Sequence, residues 1–389
     1  MSEMTQRASE RLKVVTVVGT RPEVIKLSRV LAALERHVDH VLVHTGQNYD
    51  YELNGIFFDE LGLKRPHHVL GVGGQGVAQV IADVIVKVDA VLEQERPDAL
   101  LLYGDTNSCL CVIPAKRRHI PIFHMEAGNR CFDQRVPEEL NRKVVDHLSD
   151  VNMPLTEHAR RYLLAEGLRP ETVIKTGSTM REVLEHYAPA IARSQVVAGL
   201  GLEPGRYLVV SAHREENVDR PLRLAGILET LRALAGRFRL QVVVSTHPRT
   251  RARLEALAGG TQGLEADGVR FLKPFGFLDY VRLQQQAFCV LSDSGTITEE
   301  CALLGFPAVT LREAHERPEG MDAGTLVMSG LSTARVIQAI ELVTSRPPGL
   351  RPGLPPDYQE TGVSQKVVQI ILGYTDYVRR TVWREAEVT

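Results

Sequence analysis

Six side chains suited to acid–base or anion chemistry stand at or just after six short apolar runs: Arg21, Asp105, Glu126, His213, His247 and Ser294. One polar residue in a loop carries little meaning. Six, drawn from both halves of the chain, suggest a single catalytic cleft beyond the carboxyl ends of parallel strands. Asp105, Glu126 and Glu138 would bring three carboxylates together, and such a cluster raises at least one pKa, giving an acid and a base at neutral pH. Taken singly, Asp105 reads as a cap over Thr106, Glu126 as a turn residue and Glu138 as an exposed start to the helix Pro137–Leu148, with Arg142 as its i,i+4 partner. Gly19-Thr20-Arg21-Pro22-Glu23 is neither GxGxxG nor a P-loop ending, so dinucleotide and P-loop binding are unsupported. Arg21 and Lys26 are either an anion cradle at a helix start or surface cations. Ser294-Gly295, ahead of Glu299 and Glu300, offers a second cradle or an ordinary cap with acids complementing the dipole. Glu300 can also turn outward toward sugar hydroxyls.

The elements that must hold these groups are legible as βα units. Val14–Val18 is a β-branched strand running into a glycine turn and a helical pattern from Val24 to Leu34. His40–His44, Ala99–Tyr103 and Pro121–Met125 repeat the theme, as do Tyr207–Val210, Gln241–Ser245 and Cys289–Leu291 after a Pro/Gly-rich stretch at Tyr187–Gly205. Helices are expected at Val77–Leu92, Pro137–Leu148 and Leu222–Leu234. Continuous apolar strands alternating with helices indicate parallel sheets covered on both faces. The expectation is an α/β chain of two doubly wound, Rossmann-like domains: 12–187 with the carboxylates and 188–363 for the nucleotide. A last helix, 364–389, packs back across them.

Composition narrows the classes. The 389 residues carry 46 Lys+Arg and 48 Asp+Glu, a net charge of −2. Near-neutrality leaves no electrostatic footprint for nucleic acid or an anionic membrane, so a phosphorylated ligand needs placed cations. No apolar run has the roughly 18 residues of a membrane span, and Met1–Lys13 lacks the apolar stretch of a signal peptide. The five cysteines form no CxxC pair and read as reduced thiols in a cytoplasmic protein. Without HExxH or Cys-rich spacing, no metal site is expected.

The ordered set Val17–Glu23, Gly104-Asp105-Thr106-Asn107-Ser108, His124-Met125-Glu126-Ala127-Gly128, Pro137-Glu138-Glu139-Leu140-Asn141-Arg142, His213-Arg214-Glu215, Ser292-Asp293-Ser294-Gly295 and Glu316-Arg317-Pro318-Glu319 resembles the non-hydrolysing UDP-N-acetylglucosamine 2-epimerases across about residues 14–375. The resemblance implies a GT-B fold, a cytoplasmic homodimer, a UDP-N-acetylhexosamine substrate and no cofactor. It implies elimination of UDP to a 2-acetamidoglycal followed by re-addition, with Asp105, Glu126 and Glu138 as acid/base carboxylates and His213 as the catalytic histidine near the phosphate. Arg21, Lys26, His247, Ser294, Gly295, Glu300 and Arg317 then match UDP-binding positions, and Tyr280 lies near the nucleotide.

Three segments depart from the UDP-GlcNAc-specific members: Thr45–Asn54 in place of a Gln-His-Arg-Glu type of segment that shapes an allosteric site, Asn129-Arg130-Cys131-Phe132 for Leu-Arg-Thr-Gly, and Gly295-Thr296-Ile297-Thr298 for Gly-Gly-Ile-Gln. They resemble the branch acting on UDP-2-acetamido-2,6-dideoxy-L-talose to form UDP-N-acetyl-L-fucosamine for capsule or O-antigen. A GT-B glycosyltransferase, a hydrolysing 2-epimerase and a silent UDP-sugar sensor are the competing readings.

Overall fold

The β-branched run before Gly19 becomes β1 (Lys13–Val18) of a parallel sheet completed by β2 (Asp39–His44), β3 (His68–Val69), β4 (Ala99–Tyr103), β5 (Ile122–Met125) and β6 (Val151–Met153). The order is β3-β2-β1-β4-β5-β6. The computed structural model describes residues 11–46, 57–74, 76–246, 248–255, 267–347 and 350–384. A second parallel sheet holds β7 (Tyr207–Ser211), β8 (Gln241–Ser245), β9 (Val269–Leu272), β10 (Cys289–Ser292), β11 (Ala308–Thr310) and β12 (Val327–Met328), in the order β12-β11-β10-β7-β8-β9. Counted from β7 as its first strand, this is the order of the first sheet. Two doubly wound domains of this kind make up the α/β, GT-B class of fold expected from the sequence. Each sheet reverses direction once, between β1 and β4 and between β7 and β10. Ligands of such sheets bind at those switch points.

Both faces of the sheets are dry. Leu208, Val210, Val242, Val244 and Leu291 enter one core of the second sheet, while Tyr207, Val209, Val243 and Val290 enter the other. That alternation within an unbroken apolar run is what two-sided burial demands. Each sheet carries the turn that follows its first strand close to a neighbour. A Cβ on Gly19 would lie 1.9 Å from Ser108 Oγ, so only glycine lets the β1 loop approach the segment after β4 this closely.

The chain divides into two compact units, Met1–Val183 with Gln359–Thr389, and Leu184–Tyr358. The Pro/Gly-rich stretch does not read as a simple break: Met180–Arg193 is one helix with Pro189 inside it, and Tyr187 and Ile191 are buried along it. Burial of that face outweighs the helix-breaking preference of one proline. The helix Val363–Val378 belongs to the first unit, against the helix Arg21–His37. There Arg379 bonds Asp98 at 2.7 Å and Trp383 stacks on His119 at 4.1 Å. No helix among the described residues is long and apolar enough to cross a membrane.

Candidate active site

At the first switch point, the loop after β1 is drawn together by Glu23. Glu23 accepts the N–H groups of Gly19 (2.6 Å) and Thr20 (2.8 Å) and the Thr106 hydroxyl (2.7 Å). It closes a capping box with Thr20 at the start of the Arg21–His37 helix and ties the β1 loop to the β4 loop. Burial pushes its carboxyl up to about 7 against the pull of those three donors. Glu23 was not among the three carboxylates named from sequence, and its shift comes chiefly from burial rather than from carboxylate neighbours. Arg21 lies with its guanidinium 5.1 Å from the Phe57 ring.

Asp105 follows β4 and receives Arg142 Nε at 2.8 Å. Arg142 also donates from Nη1 to Glu139 at 2.8 Å, and Glu139 in turn accepts the backbone N–H groups of Cys131 and Phe132. Asn141 donates to the Asp105 carbonyl and to Asn107. The helix Pro137–Leu148 thus acts as a clamp on the β4 loop, with Glu139, Asn141 and Arg142 buried and Glu138 half-buried at its first turn. Arg142, read from sequence as the i,i+4 partner of Glu138, also bonds Asp105 and Glu139, because the β4 loop and the preceding turn present further acids to it.

Glu126 follows β5 with φ +61. Its Oε2 accepts Lys26 Nζ at 2.6 Å and the Tyr103 hydroxyl at 2.7 Å. Behind it, His124 on β5 faces two acceptors, Asp146 Oδ1 at 2.9 Å and the Gly104 carbonyl at 2.7 Å. Only the imidazolium donates to both. Burial opposes that charge, but the bond to Asp146 and its negative charge prevail and raise the His124 pKa. Asp146, fully buried, also accepts from Arg130 at 2.7 Å and from the Gly128 N–H. Nothing in the local sequence singles out Asp146; its partners lie on other elements.

The second switch point is organised by Asp293, which is fully buried. It accepts the N–H groups of His213 (3.0 Å) and Arg214 (3.0 Å) and the Asn217 amide (2.9 Å), binding the β7 loop to β10. The His213 ring stays substantially exposed, with Nδ1 3.3 Å from Asp293. Beside it, Ser294 Oγ meets Thr296 Oγ1 at 3.0 Å. A Cβ on Gly295 would lie 2.5 Å from Glu316 Oε1, so the glycine admits the buried Arg312–Glu316 pair (2.8 Å). Arg317 is buried against Glu299 at 3.2 Å. Glu300 is buried and accepts the Gln284 amide at 2.6 Å, which ties it to the Phe277–Gln286 helix that carries Tyr280. His247, and Gln47–Asn54 within the departing segment, lie outside the described residues. Burial pushes the thiols of Cys109, Cys111, Cys289 and Cys301 up, so they are inert at neutral pH.

Both loop systems stand at topological switch points, and the family model of UDP-N-acetylglucosamine 2-epimerase matches residues 32–372. The chain belongs to the UDP-N-acetylglucosamine 2-epimerase family. A structure of the UDP-N-acetylglucosamine 2-epimerase from Rickettsia bellii shares 53% identity, covering 97% of this chain and 100% of that one, with a TM-score of 0.89. The Methanocaldococcus jannaschii UDP-GlcNAc 2-epimerase, solved in complex with UDP-GlcNAc and UDP, shares 31% identity over 93% of this chain and 100% of that one, with a TM-score of 0.87. Among sequences of this epimerase family, the UDP-2,3-diacetamido-2,3-dideoxy-D-glucuronate 2-epimerase of Pseudomonas aeruginosa is 33% identical over 333 residues, 84% of this chain and 91% of that protein.

Proposed function

We propose that this chain is a non-hydrolysing 2-epimerase of UDP-N-acetylhexosamines, an isomerase that inverts C2 by eliminating UDP to a 2-acetamidoglycal and adding it back. The observation that carries the reading is the pair of carboxylates at the ends of adjacent strands, Asp105 on Arg142 and Glu126 on Lys26 and Tyr103. In this reading the C2 proton passes to one carboxylate as the C1–O bond to UDP breaks and C1=C2 forms. A carboxyl on the other face returns a proton as UDP re-adds. Asp105, Glu126 and Glu138 share those roles, and His213 stands by the phosphate. Arg21, Lys26, His247, Tyr280, Ser294, Gly295, Glu300 and Arg317 hold the UDP-sugar. Fixed dipoles and cations suit a departing pyrophosphate better than mobile water does.

The sugar we propose is the 6-deoxy substrate UDP-2-acetamido-2,6-dideoxy-L-talose, giving UDP-L-FucNAc for a surface polysaccharide. Supporting this are the departures Asn129-Arg130-Cys131-Phe132 and Gly295-Thr296-Ile297-Thr298 from the UDP-GlcNAc-specific pattern. We also propose a cytoplasmic homodimer, which sedimentation of the purified protein checks.

Incubating the enzyme with each UDP-sugar in D2O, without acceptor, tests the function. Epimer formation with deuterium at C2 is expected by NMR. No exchange at C2 overturns the reading in favour of a glycosyltransferase or a sensor, and stoichiometric free UDP favours a hydrolysing enzyme. Equal or faster turnover of UDP-GlcNAc removes the 6-deoxy assignment.

A further inference from the structure

Lys26 was expected at the phosphate, yet its ammonium lies 2.6 Å from Glu126 with both side chains almost buried, at 6% and 11% exposure. The same carboxylate oxygen takes the Tyr103 hydroxyl at 2.7 Å. The ammonium also stands 5.5 Å from the Tyr103 ring centroid, within the range of a cation–π contact. Three elements therefore converge on one oxygen: the Arg21–His37 helix, the last residue of β4 and the turn after β5. Glu126 presents that oxygen from a left-handed backbone, which disfavours any residue but glycine. Such strain persists where surrounding bonds over-determine the conformation.

We propose that Tyr103 is a positioning residue for proton transfer at C2, acting with Lys26 as a two-donor clamp on Oε2 of Glu126. Donors on one oxygen fix the plane of the carboxylate and so the direction of Oε1. They also favour the ionised form, because charge-assisted and short O–H···O⁻ bonds are about twice as strong as neutral ones. Lys26 then serves the Glu126 carboxylate as well as the UDP-sugar. It rests on the placement of Glu126 in C2 chemistry made above.

The test measures C2–deuterium exchange against pH in the full-length wild type, in Tyr103→Phe and in enzyme carrying 3-fluorotyrosine at position 103. Loss of the hydroxyl is expected to lower kcat about tenfold to a hundredfold with KM within about threefold, as for loss of one acid–base contribution. The acid limb of kcat/KM should move up by about half a pH unit. The more acidic fluorophenol, a stronger donor, should move it down. A destabilising effect alone shifts neither limb. If wild type exchanges while both altered enzymes keep its acid limb, this inference fails and the epimerase reading stands. If wild type does not exchange, both fail. Should Tyr103→Phe not fold, the fluorotyrosine enzyme decides alone.

Discussion

The two switch points share a strand order and differ in what they are made of. Around β4 and β5 the order comes from ion pairs between side chains: Lys26 with Glu126, Arg142 with Asp105 and Glu139, His124 and Arg130 with Asp146. Around β7 and β10 one buried carboxylate, Asp293, gathers backbone N–H groups. The first arrangement holds carboxylates in place with side-chain donors. The second shapes a loop whose hydroxyls, amides and nearby cations suit an anion. Under the proposed function one topology would serve proton chemistry in one unit and phosphate binding in the other, the distinction lying in which groups the loops bring together.

The contrast breaks most visibly at the first site. Asp105→Asn and Glu126→Gln should each lower turnover about a thousandfold, within the span of general acid–base catalysis, while UDP affinity by calorimetry stays within a few-fold. Comparable turnover in both would remove the first site from the chemistry. Next, Glu23 should make stability fall with pH. Its carboxyl is raised from an ordinary 4.5 to about 7, so both states are protonated below 4.5, and above 7 the folded state must carry a buried charge. Stability should decline across that window by about 3 kcal/mol, and Glu23→Gln should flatten the curve in urea titrations from pH 4.5 to 7.5.

At the second site, Asp293→Asn places an amide where N–H donors converge. A loss of roughly 2 kcal/mol is expected in stability, with kcat/KM down by roughly thirtyfold; an unchanged kcat/KM would mean that the β7 loop does not need its anchor. The smallest change is Gly295→Ala, which crowds Glu316. It should cost about 1 kcal/mol and weaken UDP about fivefold to tenfold without moving the pH profile of turnover. A shifted profile would blur the division of labour between the two sites.

Much of this was legible in the residues. Val14–Val18, Ala99–Tyr103 and Gln241–Ser245 announce themselves as strands because two-sided burial leaves unbroken apolar runs. The edge strands β3 and β12, two residues each, carry no period to read. Asp105, Glu126, His213 and Ser294 were placed by their position after strands. Lys26, Arg142, Asp146 and Asp293 owe their roles to partners on distant elements, and no local pattern encodes which acid a buried base will meet. Arg142 is the clearest case: spacing points to Glu138 alone, and tertiary structure adds Asp105.

The first unit is assembled from both ends of the chain, with Leu184–Tyr358 lying between them in sequence. During synthesis the central unit is complete while the first still lacks the helix that covers Arg21–His37. The order of maturation is therefore inverted relative to a chain whose domains finish from the amino end. The carboxylate domain closes last, when Val363–Trp383 arrives to cover the Arg21–His37 helix.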